Sequence, residues 1–166
     1  MLTVVAWVGF TVRSPDNRIV VPVDRLSPAV SSGLQTGDRI ISIDGRLVQS
    51  FQDLIREVTP APDQELQVIV ERGGRHISIR VTPELNAEKN EGRIGVYPWI
   101  DPVIDVVNTD ETALDSVSLL IPGDRIVAVR GVAVAHTIEL YEEVNRSSES
   151  SVRLTVQRNG ASVDLI

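Results

Sequence analysis

Besides its hydroxyl and carboxylate residues, the chain offers nucleophilic or metal chemistry only two histidines, His76 and His136, and a single lysine, Lys89. It has no cysteine, which excludes disulfide staples, thiolate zinc sites and a cysteine nucleophile together. That composition is compatible with an oxidising compartment. The histidines lie far apart and form no His-Glu-x-x-His motif, and there is no Gly-x-Ser-x-Gly nucleophile elbow. Lys89 sits in the polar stretch Asn86–Glu91, where an exposed ammonium is a poor base for a Ser–Lys dyad. His76 alternates with apolar residues and is expected to face solvent from a hairpin strand, while His136 stands where a helix should begin and reads as a cap. Glu142 and Glu143 are helix neighbours that diverge by about 100°, so they cannot face each other as an acid/base pair. The residues point to a protein that is not itself an enzyme, with no catalytic residues and no cofactor of its own.

The bulk properties narrow the remaining classes. Hydrophobic residues make up 42% of the 166 residues, enough for a globular core, and the net charge is −7 with scattered arginines. A phosphate-neutralising face needs clustered basic residues, so nucleic acid is not an expected partner. The apolar opening Leu2–Phe10 is far shorter than the roughly 20 residues that cross a bilayer, and it lacks a signal peptide's basic start and cleavage site. The chain is therefore expected to be soluble.

What organises it is an internal repeat. Gly-Asp-Arg-Ile occurs at Gly37–Ile40 and again at Gly123–Ile126. Carried without gaps, the same offset matches 9–80 to 95–166, with identities that include Gly9, Val20, Val21, Asp38, Arg39, Leu54, Val70 and Arg72. Each copy predicts the same elements. The β-branched runs Ile19–Val23 and Val103–Val107 read as strands. In copy one Ser27-Pro28 starts a short helix that Gly33 stops. Arg39–Ile43 and Arg125–Val129 read as strands that end at the turns Asp44-Gly45 and Arg130-Gly131.

A longer helix follows, with Ser50 and Asp53 as a capping box and Phe51, Leu54, Ile55 and Val58 at helical spacing; Thr137, Leu140, Tyr141 and Val144 are the second set. Each copy closes with a hairpin, turning at Gly73-Gly74 and at Asn159-Gly160.

The run Ser27–Val58, with its Ser-Pro-Ala helix start, Gly-Leu stop, Gly-Asp-Arg-Ile strand entry and Asp-Gly turn, resembles the signature of bacterial PDZ domains. Glu71–Glu84 is similar to their closing hairpin. Copy two is more divergent, with Leu119 in place of Gly33 and Thr112-Ala113 near the Ser-Pro-Ala position. The fold class this implies is mainly β with short helices (α+β), two PDZ-like partly open barrels or sandwiches in tandem. The expected domains are 1–92 and 93–166; in a circularly permuted arrangement 93–98 instead complete the first. Glu84 to Tyr97 is expected to hold both the connector and a loop.

The tandem spacing and the Gly-Arg-Ile-Gly-Val-Tyr-Pro-Trp run at 92–99 resemble the periplasmic region of site-2-protease-type intramembrane zinc metalloproteases, the family that contains regulator-of-sigma-E protease. Leu2–Phe10 fits the exit from a preceding membrane helix, and the stop at Ile166 inside a strand fits a fragment. The resemblance implies a non-catalytic region on the periplasmic side of the inner membrane, with zinc held elsewhere in the full-length protein and membrane contact made only through flanking segments. Such a region recognises or size-filters substrate polypeptides; the alternative is a tandem that binds peptide C-termini in a trypsin-like periplasmic protease or a secretion adaptor.

A PDZ groove adds an extended peptide to a strand edge and holds its terminal carboxylate on consecutive backbone amides. Two hydrophobic-Gly-hydrophobic loops fit that role, Val8-Gly9-Phe10 and Ile94-Gly95-Val96, with Ile55 and Tyr141 beside them on the long helices. The bland alternatives are a glycine that merely permits a strand bend and ordinary core side chains. Trp7 and Trp99 flank the loops, as interface anchors, lids or shields of a sheet edge.

Overall fold

The computed structural model describes residues 16–22, 26–105, 119–146 and 152–165. They divide into two compact units, 16–99 and 100–165. In the first unit, strand β1 (Ile19–Val20) leads to helix α1 (Pro28–Ser32). The Ser27 hydroxyl accepts the Val30 N–H, Pro28 fixes the first turn, and Gly33 at φ 85° stops the helix in the left-handed region. Strands β2 (Arg39–Ile43) and β3 (Arg46–Leu47) flank a turn in which Asp44 and Gly45 both take positive φ, the mirror-image turn that suits a hairpin.

Helix α2 (Phe51–Val58) opens on the expected capping box: Ser50 Oγ accepts the Asp53 N–H, and the Asp53 carboxylate accepts the Ser50 N–H. The Asp53 carboxyl is held below its ordinary value, first by the Gln49 backbone N–H and then by the Ser50 hydroxyl. Strands β4 (Leu66–Arg72) and β5 (Arg75–Val81) follow, and the sheet runs β3-β2-β4-β5, antiparallel throughout. Ile19, Ile40, Ile43, Leu54, Val68 and Val70 fill the core.

Residues 84–98 differ from the expected connector. They form the hairpin β6 (Glu84–Asn86) and β7 (Glu91–Arg93) and then β8 (Tyr97–Pro98), which pairs antiparallel with β1. The division between the units falls after Trp99. Trp99 donates its N–H to Arg18 C=O (3.1 Å), and its ring lies 4.6 Å from the Arg18 guanidinium, a cation–π contact.

The second unit repeats the scheme. Strands β9 (Arg125–Val129) and β10 (Val132–Ala133), helix α3 (Thr137–Asn145), β11 (Leu154–Arg158) and β12 (Ala161–Leu165) give the sheet β10-β9-β11-β12, in the order of the first unit. Even the irregularities match. Ile41 drops out of the β2–β4 register and Val127 out of the β9–β11 register, and their carbonyls accept the N–H groups of Val48 and Val134. The sheets stay open rather than closing into barrels.

One part of the ungapped repeat needs correction. Ile19 N–H donates to Asp38 C=O, and its counterpart is Ile104, which donates to Asp124 C=O. Likewise Arg18 bridges Arg39 where Val103 bridges Arg125. The second copy thus carries one extra residue between Ile104 and Gly123. Val103 makes only an isolated bridge instead of opening a strand; 106 and 107, like Val23, lie outside the described residues.

Candidate peptide groove of the first unit

The Gly-Asp-Arg-Ile repeat serves packing rather than chemistry. Asp38 is 1% exposed and is clasped by Arg72, whose Nε and Nη2 donate to its two carboxylate oxygens at 2.7 Å each; Nη2 also donates to Gly33 C=O (2.9 Å). Arg158 holds Asp124 in the same way and reaches Leu119 C=O (2.7 Å). The hydrogen bonds from Arg158 lower the Asp124 carboxyl below its ordinary range. These bidentate pairs explain why both ends of the clasp are identical in the two copies.

His136 is the N-cap of α3, 3% exposed, and its Nδ1 accepts the Glu139 N–H (3.3 Å). Nε2 lies 3.5 Å from Glu139 Oε1. Burial, the strongest influence, lowers its pKa from the ordinary 6.5 against the opposing pull of Glu139 and Glu142. A histidine with a depressed folded pKa stabilises fully above the unfolded value, and that contribution fades as pH falls through the folded one. Protonated Nδ1 cannot accept the cap bond. The second unit is therefore expected to lose about 1 kcal/mol, a typical cap contribution, as pH drops below about 6.5. Glu139 amide exchange reads this directly, and His136→Asn, which keeps an acceptor without a titration, should flatten the profile.

The first unit holds the more complete candidate groove. Gly92 N–H donates to Thr59 C=O (2.8 Å) at the end of α2, which brings the 94–96 loop back to that helix. Ile94 is buried in the core with Leu54 and Val58, and its carbonyl accepts the Ala29 N–H of α1 (2.9 Å). Val96 packs against the same core. Gly95 takes φ 79°, and a Cβ there would lie 2.6 Å from Ser27 Cβ. The glycine is thus required by the close approach of the loop to the α1 cap. Among the described residues, neither the Gly95 nor the Val96 N–H has a hydrogen-bond partner, and β1 is the only strand beside β8.

Ile55, at 41% exposed, stands at the solvent margin of α2 while Leu54 and Val58 are buried, so the helical stripe is narrower than its spacing suggests. Phe51 is half-buried against the core. Ile55, Ile94, Gly95 and Val96 thus all belong to the first unit. Tyr141, 63% exposed on α3, belongs to the second, where no hydrophobic-Gly-hydrophobic loop is found among the described residues. Val8, Gly9 and Phe10, with Trp7, lie outside the described residues. That these amides and the outer edge of β8 have no partner among the described residues was not foreseeable from spacing; Pro98, as a proline in a strand, was the one sequence signal of an edge.

Zinc, which the resemblance assigns to the full-length protein, has no place among these residues. His76 is on β5 and His136 caps α3, and no group of three His, Cys, Asp or Glu able to hold a metal occurs among the described residues. No described helix is long and apolar enough to cross a membrane.

Residues 6–82 match the family model for the PDZ domain. The chain is 32% identical over 164 residues to a protein of Treponema pallidum (strain Nichols) provisionally named a zinc metalloprotease, covering 96% of this chain and 36% of that one. It is also 32% identical over 108 residues to the regulator of sigma-E protease RseP of Salmonella typhimurium (63% of this chain, 24% of the relative). With the zinc metalloprotease RasP of Geobacillus kaustophilus it is 35% identical over 86 residues (46% and 20%). The chain spans little more than a third of the length of the first of these relatives and less of the others.

Proposed function

Residues 6–82 of this chain are a PDZ domain, and nearly all of the chain is related to bacterial zinc metalloproteases of the regulator-of-sigma-E kind; from that premise we propose that it is the substrate-recognising, non-catalytic region of such a protease. In this reading it works on the periplasmic side of the inner membrane, in regulated intramembrane proteolysis. It admits substrate polypeptides by the chain ends they present and hinders those with bulky folded domains. Residues 93–98 complete the first PDZ module, and the zinc and the catalytic residues lie in flanking parts of the protein.

The observation that carries this reading is the pair of consecutive amides, Gly95 and Val96, which have no partner among the described residues and stand where the β8 edge begins. Two such N–H groups form an anion nest suited to a terminal carboxylate, and the free edge beside them can take up the residues that precede it. Ile55, exposed on the helix to which the loop returns, supplies an apolar contact for the last side chain.

Ile55→Glu tests the groove without disturbing the core. An exposed helix position tolerates glutamate to within about 0.5 kcal/mol. Binding of a labelled peptide with a free apolar C-terminus should weaken about tenfold or more, since a charge then faces the apolar end group. Unchanged affinity would remove Ile55 from the groove. For the wider assignment, a His-Glu-x-x-His helix encoded upstream of Met1 is expected, whereas a trypsin-like domain there would sink it.

A further inference from the structure

The pairing of β1 with β8 fixes which backbone groups face the open edge. Ile19 is opposite Pro98 and Val20 opposite Tyr97, and Trp99 N–H donates to Arg18 C=O. Hydrogen-bonded and non-hydrogen-bonded pairs alternate along an antiparallel ladder, so Arg18–Trp99 and Val20–Tyr97 are the bonded pairs. Ile19–Pro98 lies between them, which suits a residue that has no N–H. The groups pointing away from β1 are therefore those of Val96 and Pro98. Val96 offers the edge both an N–H and a C=O; Pro98 offers a C=O alone, with its ring carbon where a donor would be.

We infer that Pro98 ends the ladder after Val96, making the first module a reader of the last two or three residues of a polypeptide rather than of long or internal extended segments. The inference rests on the proposed groove and specifies its substrate class: short, exposed chain ends with a free carboxylate. A ligand strand running antiparallel to β8 forms a bonded pair with Val96. Its next pairing position meets the pyrrolidine ring, which donates nothing and crowds the ligand carbonyl. Residues further upstream in the ligand gain no ladder bonds, so substrates with unrelated sequences are admitted equally once the end is exposed.

The test uses the intact chain and its Pro98→Val variant with two N-acetylated peptides, a tripeptide and an octapeptide that share one apolar C-terminal tripeptide and its free carboxylate. The nitrogen of Pro98 takes no part in the ladder with β1, so valine restores a donor to the open edge without disturbing that pairing. The unsubstituted chain should bind both peptides with affinities within about twofold. The third residue from the end, which both peptides contain, is the one opposite position 98, so the variant should bind each peptide about fivefold more tightly than the unsubstituted chain does, the gain typical of one recovered backbone hydrogen bond. A length preference of that size in the unsubstituted chain, or unchanged affinity in the variant, would overturn the role given to Pro98 while leaving the groove intact. Failure of every peptide to bind either protein would overturn the groove reading and this inference with it.

Discussion

Replacing Arg72 with alanine is expected to destabilise the first unit by about 3 kcal/mol, a large share of a small domain's stability. The loss comes less from the missing bonds than from what they leave behind. Asp38 is 1% exposed, and without the guanidinium fork its carboxylate keeps, of its side-chain hydrogen bonds, only the one from Gln35 N–H (2.9 Å). An uncompensated buried charge is among the most costly single defects a fold can carry. Arg72 is itself 29% exposed, so the value belongs near the low end of the range for breaking buried pairs. Chemical denaturation of Arg72→Ala, Asp38→Asn and the double variant checks the claim: the two substitutions should couple by at least about 1 kcal/mol, because either one alone removes the clasp. A loss below about 1 kcal/mol in Arg72→Ala would reclassify the clasp as an ordinary surface ion pair. Arg158→Ala should act in the same direction on the second unit.

The second large effect is expected at Gly92. A Cβ there would lie 2.4 Å from Val58 C=O and 3.0 Å from the Pro62 nitrogen. Both are backbone atoms, so no side-chain rotation relieves the clash, and the Gly92–Thr59 hydrogen bond must break or α2 must shift. Gly92→Ala is expected to cost about 2–3 kcal/mol, the upper range for overpacking. Hydrogen exchange should show the opening at Gly92 and at the end of α2, while Asp53 at the start of the helix keeps its protection. Gly95→Ala makes a useful contrast: it meets Ser27 Cβ at 2.6 Å and must hold a positive φ. Its damage should therefore appear at α1, where Ala29 N–H bonds to Ile94 C=O. A Gly92→Ala protein as stable as the parent would show that the return of the loop to α2 has slack that the distances deny.

The contrast between these sites and the local elements shows what the sequence makes legible. The α1 caps, the Asp44-Gly45 turn, the Ser50–Asp53 box and the Gly73-Gly74 and Asn159-Gly160 hairpins are each decided by atoms within about four residues, so residue type alone reveals them. The pairing of 97–98 depends on β1, far away in the chain, and nothing in Tyr97-Pro98 names its partner. The repeat exposed Asp38 and Arg72 as identical positions, yet their clasp is a tertiary fact that identity cannot state. Its lack of gaps also concealed the extra residue between Ile104 and Gly123, which only the paired backbone bonds of Ile19 and Ile104 reveal. In the groove, helical spacing grouped Ile55 with Phe51, Leu54 and Val58, but only packing shows which margin of that stripe is bare.

The clasp has a kinetic side. In each unit it joins residues 34 apart, closing a loop that runs from the residue before β2 to the last residue of β4, and from the residue before β9 to the last residue of β11. Loop closure must be met before such a contact rewards it, and the fork finds its geometry only once β2 has paired with β4, or β9 with β11. A contact completed that late contributes little to the rate of folding and much to the rate of unfolding. The two clasps thus act as latches on the lifetime of the folded units, whose sheets are kept shut by bonds that must break first on the way out.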